Sequence, residues 1–331
     1  MPVPMRRQIH PHDLSVARTV RKYLVKHGPF EIVHGHSSKG GALARMAAVG
    51  LGAKIVYTPN AFVNMNLTLP RIQRWAYGSI ERWLASFTNL LITTSPEEHR
   101  FALEMGIPAH KMCLIPNGIA SAAMPTRADA RGKIGCPPED VVVGFVGRLN
   151  SQKNPELLVE AFARIADDLP RSRVVMVGDG ELLPRLVKMI AHRRLEDRVR
   201  LLGWQDGRSL MPGFDFLVLP SRYEGFPYVA MEAMHAGLPL VATRSSSTSL
   251  LIDHGLTGYS VEADPQFLAE AMASLIADAE LRAEFSRRAV QKVEEFSLEK
   301  MVESTLGVYH QLTERRLVPK ASHRDSVSTP R

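Results

Sequence analysis

Two carboxylates stand with seven residues between them in the stretch YEGFPYVAME, residues 223–232. Glu224 follows an apolar run, FLVLPSR, and Glu232 falls one to two turns into a segment that can form a helix. Gly225 permits a tight turn with exposed amides, and Pro227 suits the first position of a helix, where a missing N–H costs nothing. The amides at such a helix start attract an anion, so the stretch predicts a phosphate site beside two carboxylates.

Each carboxylate has a chemical and a structural interpretation. Glu224 lies outside the predicted helix, where the reacting end of a ligand would be. Glu232 is either a charge on a helix surface or an acceptor for the two hydroxyls of a ribose. A buried carboxylate needs partners, and the neighbours of Glu232 predict a mostly buried helix because they are small or apolar: Ala230, Met231, Ala233 and Met234.

A second stretch with phosphate chemistry is GRLNSQKN, residues 147–154. A predicted strand ends at Gly147, and a helix begins near Asn154, which we expect to act as its cap. Arg148 offers a planar fork for phosphate oxygens and Lys153 a point charge. The alternative is two surface cations beside a turn.

Short apolar strands alternate with helical patterns along the whole chain. Because the strands are rich in Val and Leu without polar alternation, they are typical of parallel strands buried on both faces. The pattern predicts an α/β fold of two Rossmann-like, doubly wound domains, which bind ligands at the carboxyl ends of their strands. The predicted strands are 30–36, 54–59, 89–95, 111–118, 141–149, 173–180, 198–204, 214–221 and 238–243.

Charge and composition narrow the function classes. Up to Pro125 there are 14 Lys and Arg against 6 Asp and Glu, whereas the remainder has 27 against 28. The basic surplus in the first part of the chain indicates contact with an anionic membrane surface, binding of a phosphorylated substrate, or only a solvated basic face. No recognition helix or aromatic RNA-binding strand is present, which argues against nucleic acid. Two isolated cysteines, with neither a secretory signal nor a membrane span, indicate the cytoplasm.

Four stretches together resemble one family: GRLNSQKN, VGDGE, PSRYEGFPYVAMEAMHAGLPLVAT and HGLTGYSVEADP. They are similar to the C-terminal half of the family 4 retaining glycosyltransferases, which have the GT-B fold of two facing Rossmann-like domains. The family signature E-x7-E falls on Glu224 and Glu232. Two N-terminal stretches, IVHGHSSKGGALARMAA and VYTPNAF, resemble members that build bacterial polysaccharides on lipid carriers.

The resemblance implies a role for each candidate residue. Arg148 and Lys153 would hold the diphosphate of a nucleotide sugar and Glu232 its ribose. Glu224 would contact the donor sugar, together with the backbone at Gly225 and Phe226. Since two cations can neutralise the leaving diphosphate, we expect no metal ion and no cofactor besides the nucleotide sugar. An epimerase of the same fold is disfavoured by the E-x7-E and its basic partners.

His34 and His36 are two residues apart on a predicted strand, so both face one side. One interpretation is a core histidine and a capping histidine. The resemblance instead puts His36 at the cleft between the domains, near the sugar, as a second catalytic residue. A zinc site needs more ligands than this pair offers. Asn60 follows the next strand, at a position where several relatives have histidine.

Two departures from the family leave a second function open. The stretch RSSSTSLLID, 244–253, has Leu250 near the expected glutamate. The first residues resemble the middle of a GT-B N-terminal domain, so we expect the domain to be incomplete and to lack a central strand, which would leave backbone groups unpaired. The alternative to an active transferase is therefore a truncated, inactive protein that binds sugar nucleotides.

The predicted helix at 71–87 combines aromatic residues with Arg71, Arg74 and Arg82. It is either a surface helix packed on its own domain or a peripheral contact with an anionic membrane. A lipid-linked acceptor would require the second arrangement. We therefore expect a cytoplasmic protein, with a peripheral site on the inner face of the plasma membrane, that extends a glycan or polyprenyl-linked acceptor.

The sequence divides into five parts. We expect a partial N-terminal acceptor-side domain, a linker rich in Pro and Gly, a nucleotide-sugar-binding domain, a helix that crosses back to the N-terminal domain, and a polar, disordered tail. The bounds are 1–125, 126–138, 139–297, 298–317 and 318–331.

Overall fold

The computed structural model of the chain describes residue 10 and residues 12–66, 69–121, 123–244 and 248–314. The predicted tail, 318–331, lies outside these residues, as do the first nine residues and the three serines at 245–247. Within the described residues, no helix has the length and apolar content needed to cross a bilayer.

The N-terminal domain is a parallel sheet of four strands in the order β1-β2-β3-β4, with helices around it. Among the described residues, β1 pairs with β2 alone and forms one edge. The expectation of a missing strand stays a prediction. The elements are α1 (Asp13–His27), β1 (Ile32–His36), α2 (Ser38–Ala48), β2 (Lys54–Thr58), α3 (Arg71–Ala85), β3 (Leu90–Thr93), α4 (Pro96–Glu104) and β4 (Met112–Leu114).

The C-terminal domain is a parallel sheet of six strands. The predicted strands are present, and β10 was not predicted. The elements are α5 (Arg127–Ile134), β5 (Val141–Val146), α6 (Pro155–Ala163), β6 (Ser172–Val177), α7 (Leu183–His192), β7 (Val199–Leu201), α8 (Gly207–Leu210), β8 (Phe216–Leu219), α9 (Tyr228–His235), β9 (Leu240–Thr243), β10 (Gly258–Val261), α10 (Pro265–Ala277) and α11 (Ala279–Val293).

Helices cover both faces of this sheet. Successive residues of one strand therefore pack in two different cores, one on each face. Val143 and Phe145 of β5 pack in a core with residues of α6 and α10. Val142, the residue just before Val143, packs in the opposite core with residues of α9. Burial on both faces explains why these strands are largely apolar. Together, the two parallel sheets confirm the predicted α/β fold of two Rossmann-like domains.

The segment predicted as a linker, 126–138, is part of the C-terminal domain, and we correct that assignment. Thr126 caps α5, since its side chain accepts from the backbone N–H of Asp129, and Gly135 ends the helix at φ 65°. Arg131 of this helix donates to Asp215 at 2.6 Å. The glycines and prolines that resembled a linker are the ends of a packed helix.

The two domains join where two chain segments run side by side. The backbone N–H of Ile119 donates to Phe296 at 2.9 Å, and that of Leu298 donates to Ile119 at 3.0 Å. The last helix, α12 (Leu298–Glu314), then returns to the N-terminal domain. Its apolar side chains pack against the core residues Val56, Ile92 and Ile115; they are Met301, Val308, Tyr309 and Leu312.

Candidate functional site

The strand order of the C-terminal sheet reverses between β5 and β8. The order is β10-β9-β8-β5-β6-β7, so the chain moves outward from β5 and returns to β8 on its other side. In such sheets ligands bind in the crevice outside the carboxyl ends of the two strands at the reversal. The loop 147–154 leaves β5 there and the loop 220–227 leaves β8, so the fold brings the two candidate stretches together.

Direct hydrogen bonds join these two loops. The Lys153 ammonium donates to Oε1 of Glu224 at 2.5 Å. The side-chain amide of Gln152 donates to the carbonyl of Tyr223 at 3.3 Å, and the backbone N–H of Arg222 donates to the carbonyl of Gln152 at 2.8 Å. Lys153 and Glu224 were both predicted site residues, and they contact each other although 71 positions separate them.

The two predicted phosphate ligands have different surroundings. The side chains of Lys153 and Glu224 are only 15% and 7% exposed, so their ion pair is charge-assisted and largely shielded from water. Arg148 is exposed, and one of its terminal N–H groups donates to Oε1 of Gln152 at 3.3 Å. A ligand can therefore reach Arg148 directly, but it must compete with Glu224 for Lys153.

The loop after β6 supports the loop after β5 through a close backbone approach. A Cβ atom at Gly178 would lie 1.8 Å from the carbonyl oxygen of Gly147, and Gly178 has φ 144°. The backbone N–H of Leu149 donates to the carbonyl of Asp179 at 2.9 Å. Any side chain at Gly178 would displace the backbone next to Arg148.

Two helix starts differ from the prediction. Asn154 precedes α6 with φ 50° but its side chain makes no cap. Instead, its Oδ1 accepts from Arg222 at 3.2 Å, because the β8 loop lies against it. The helix α9 begins at Tyr228, with Pro227 as its extended N-cap residue rather than its first residue. The start of α9 is held in place by Phe226, which is 4% exposed and packs on Phe296 with ring centroids 5.2 Å apart.

Glu232 lies in the second turn of α9 and is half-buried. Burial raises its pKa, the Arg208 charge lowers it, and the Asp206 charge raises it. Among the described residues, Nε of Arg208 is buried without an acceptor, while a terminal nitrogen of the same guanidinium donates to the carbonyl of Ala120 at 3.0 Å. A half-buried carboxylate and a guanidinium with unused hydrogen-bonding capacity indicate a place for a polar ligand.

The N-terminal domain contacts the β8 loop from the other side of the cleft. A Cβ atom at Gly225 would lie 3.1 Å from the backbone nitrogen of Ala61 and 3.1 Å from the carbonyl carbon of Asn60. The side-chain amide of Asn117 donates to the carbonyl of Phe226 at 3.3 Å. Gly225 therefore allows the close approach of the two domains.

His36 is exposed at the carboxyl end of β1, and its ring stacks on His34 with centroids 4.1 Å apart. The predicted common face of the two rings is therefore present. Burial, and then the charge of His36, lower the pKa of His34 to about 4. Nδ1 of His34 bonds to the Tyr309 hydroxyl at 2.5 Å and Nε2 to the Thr58 hydroxyl at 2.8 Å. Burial also lowers the pKa of His36.

Sequence reasoning missed several contributors to this cleft. Neither Asn117 nor Arg222 was given a role. Position at the carboxyl end of a strand was the available signal for Asn117, since it follows β4. In the described parts of the chain, His, Cys, Asp and Glu side chains form no group of three that could hold a metal ion. Metal independence itself stays a prediction.

Comparison with known proteins gives matches over both domains. The family model "Glycosyl transferases group 1" matches residues 126–292, and "Glycosyl transferase 4-like domain" matches residues 1–118. An Escherichia coli galactosyltransferase, named UDP-Gal:alpha-D-GlcNAc-diphosphoundecaprenol alpha-1,3-galactosyltransferase, is 31% identical over 249 residues. That match covers 72% of this chain and 64% of the relative, so the chain spans less than two thirds of that enzyme.

Two solved structures share the fold. The Anabaena protein HepE in complex with UDP and glucose has a TM-score of 0.80 at 22% identity, covering 91% of this chain and 82% of that one. Sucrose-phosphate synthase from Thermosynechococcus elongatus has a TM-score of 0.82 at 24% identity, covering 94% and 81%. These likenesses show a common fold.

Two Rossmann-like domains that face each other, with a cation-lined crevice at the strand reversal of the second, are the arrangement of the GT-B fold class. The matched family models agree with this class over almost the whole described chain. The chain belongs to the family "Glycosyl transferases group 1", as its sequence motifs indicated.

Proposed function

We propose that the protein transfers a sugar from a nucleotide-diphosphate donor to a glycan or lipid-linked acceptor, with retention of the anomeric configuration, in bacterial polysaccharide or cell-envelope biosynthesis. The observation that carries this proposal is the Lys153–Glu224 ion pair, at the reversal of the C-terminal sheet and beside the start of α9. The E. coli relative is named as a transferase of galactose from UDP-Gal to alpha-D-GlcNAc-diphosphoundecaprenol, and this name supports the substrate classes.

Donor binding exchanges one partner of Lys153 for another. The diphosphate replaces Glu224 as the partner of the Lys153 ammonium, and it also binds the exposed Arg148. The first backbone amides of α9, at the positive end of the helix dipole, add to this attraction. Glu224 is then free to face the sugar, next to the backbone of Gly225 and Phe226. Glu232 accepts the ribose hydroxyls. No metal is needed, because the two cations and the amides balance the charge of the diphosphate.

In the transfer step, the bond between the anomeric carbon and the β-phosphate oxygen breaks, a bond to the acceptor hydroxyl oxygen forms, and the hydroxyl proton passes to the leaving diphosphate. Negative charge develops on the leaving diphosphate, where Arg148, Lys153 and the α9 amides stabilise it. Positive charge develops on the sugar ring, next to Glu224. We place His36, at the carboxyl end of β1, on the acceptor side of the cleft, where its ring, with a pKa lowered by burial, can accept a hydrogen bond from an incoming hydroxyl.

The anomeric product tests this proposal. Glycosyltransferases release sugar slowly to water, so we expect the protein to hydrolyse its cognate nucleotide sugar to free sugar with the anomeric configuration of the donor. Proton NMR at early times, before the anomers equilibrate, measures this ratio. The opposite anomer would contradict retention, and a protein that binds nucleotide without turnover would be the inactive sugar-nucleotide-binding alternative.

We also propose a peripheral membrane contact through α3. The helix packs on its domain through Gly78, Glu81 and Leu84. Its other face exposes large apolar side chains beside Arg71 and Arg82: Ile72 at 76%, Trp75 at 69%, Ile80 at 47% and Trp83 at 57%. Aromatic and basic residues on one exposed face favour an anionic bilayer, to which each basic side chain adds about 1 kcal/mol.

Flotation with lipid vesicles measures this contact. We expect the protein to float with phosphatidylglycerol vesicles but not with phosphatidylcholine vesicles, and the double variant Trp75→Ser, Trp83→Ser to stay unbound. Trp204→Ser is the matched control, because Trp204 is 81% exposed on the other domain. Equal flotation of the double variant and the control would contradict the assignment of α3.

A further inference from the structure

Glu98 is a fully buried carboxylate near the interdomain cleft, with 0% of its surface exposed. It lies in the first turn of α4, where the hydroxyl of Ser95 caps the helix by accepting from the backbone N–H of Glu98. One carboxylate oxygen accepts from the backbone N–H of Thr94 at 2.6 Å and from its hydroxyl at 3.0 Å. The other oxygen accepts from the backbone N–H of Ala61 at 2.6 Å.

The bond to Ala61 goes beyond helix capping. In a capping box, a glutamate at this position returns to the backbone of the capping residue itself. Here one carboxylate oxygen accepts from Thr94, the residue before the cap, and the other accepts from Ala61, in a loop 37 positions away. Burial raises the pKa of Glu98 and the donors lower it. Burying this charge is costly unless all its hydrogen bonds are made.

The loop held by Glu98 has a strained backbone. Asn60 has φ 53° and Ala61 has φ 77°, a region that residues other than glycine rarely adopt. Such residues persist where their surroundings fix them. Two anchors do so here: the Glu98 carboxylate on the Ala61 amide, and the ring of Phe62, which is 1% exposed and packs on Phe101 with centroids 5.9 Å apart.

This strained turn is the part of the N-terminal domain that contacts the donor loop. A methyl group at Gly225 would lie 3.1 Å from the backbone nitrogen of Ala61 and 3.3 Å from its Cβ. Gly225 lies directly between Glu224, which pairs with Lys153, and Phe226. A shift of the turn therefore changes the gap between the two halves of the site.

We propose that Glu98 is a positioning residue for sugar transfer, which holds the Asn60–Ala61 turn against Gly225 and so sets the spacing between the acceptor side and the donor side of the cleft. This inference rests on the proposed function, because its main readout is a transfer rate. Glu98 itself touches no substrate. Its effect passes through the backbone of the turn, with the Ala61 amide as the point of attachment.

The test is Glu98→Gln, with Glu104→Gln at the exposed end of the same helix as control. The glutamine keeps the side-chain volume, but its NH₂ group cannot accept from an N–H, so one of the two backbone bonds is lost. We expect kcat for the nucleotide sugar to fall about 10- to 100-fold, since small misplacements of reacting groups have effects of that size. The Kd of the nucleoside diphosphate should stay within twofold, because Arg148 and Lys153 lie in the other domain.

A double-variant cycle separates positioning from plain stability. Gly225→Ala pushes on the same turn from the opposite side, so the combined variant should lose less activity than the product of the two single losses. Effects that multiply, or an unchanged kcat in Glu98→Gln, would overturn the inference. If Glu98→Gln does not fold, Gly225→Ala tests the same contact with Glu98 in place, and an unchanged kcat there would overturn it too.

The wild-type protein distinguishes this failure from failure of the proposed function. A wild-type chain that binds no nucleoside diphosphate and turns over no nucleotide sugar would reject the transferase itself. A wild-type chain that does both, with a Glu98→Gln variant as active as the Glu104→Gln control, would reject only the role of Glu98.

Discussion

Replacing Lys153 with methionine should both destabilise the protein and weaken donor binding. The substitution leaves Glu224, which is 6% exposed, as a buried carboxylate without its cation. Breaking a buried pair in this way costs about 3 kcal/mol of unfolding free energy. The diphosphate also loses a charged hydrogen-bond donor, so its Kd should rise about 10- to 100-fold. Urea denaturation and calorimetric titration measure the two effects.

A second substitution separates the two effects. Adding Glu224→Gln to Lys153→Met removes the unpaired charge, so we expect most of the stability to return while the weak diphosphate binding remains. Lys188→Met is the matched control, since Lys188 is exposed on α7 and should change the stability by no more than about 0.5 kcal/mol. If the Lys153→Met protein is destabilised but binds the diphosphate normally, the Lys153–Glu224 ion pair has only a structural role.

Replacing Glu224 alone with glutamine should separate transfer from binding. We expect kcat to fall about 100- to 1,000-fold, because a carboxylate next to developing positive charge acts mainly on the transition state. The nucleoside diphosphate should bind at least as tightly as before, since Lys153 no longer has to leave a carboxylate at 2.5 Å. Steady-state rates with the nucleotide sugar and titration with the diphosphate give both quantities.

The control for this variant is Glu196→Gln. Glu196 is exposed just before β7, at the amino ends of the strands and so away from the crevice. Its kcat should equal that of the wild type. If Glu224→Gln were to raise the Kd of the diphosphate while keeping kcat, Glu224 would be a binding residue and not a catalytic one.

The strands and the two chemical loops could be predicted because local sequence determines them. β8 is wholly apolar, β5 is apolar apart from Gly144, and β6 is apolar after its first two residues, and parallel strands buried on both faces require such runs. The position of the crevice could be predicted as well, because Arg148, Lys153 and Glu224 lie in loops that follow strands, and ligands bind at those ends of a parallel sheet. The short strand β10 was missed since it has only four residues and includes Gly258 and Ser260, so its pairing with β9 defines it.

The linker prediction failed because capping residues and linker residues are alike. Thr126 and Gly135 mark the two ends of α5, and the helix is fixed by distant partners that no local pattern indicates. One of these is Asp215, which binds both Arg127 and Arg131.

Contacts across the cleft could not be predicted either. The approach of Ala61 to Gly225 joins residues in different domains, and the Glu98 bond to Ala61 depends on how β2 and α4 pack. Sequence identified Asn60 only as a departure from a family position. Its positive φ and that of Ala61 are consequences of tertiary structure, since neither residue type requires such a backbone.

The most direct measurement is a thermal-shift titration of the protein with UDP, GDP, ADP and CMP, beside the variant Arg148→Ala and the exposed control Arg193→Ala. We predict that one nucleoside diphosphate raises the melting temperature of the wild type and of the control. In Arg148→Ala, the midpoint of that shift should move to about 10- to 100-fold higher concentration. A folded wild-type protein with no shift for any nucleotide, or an equal shift in Arg148→Ala, would contradict a donor diphosphate site at the crevice.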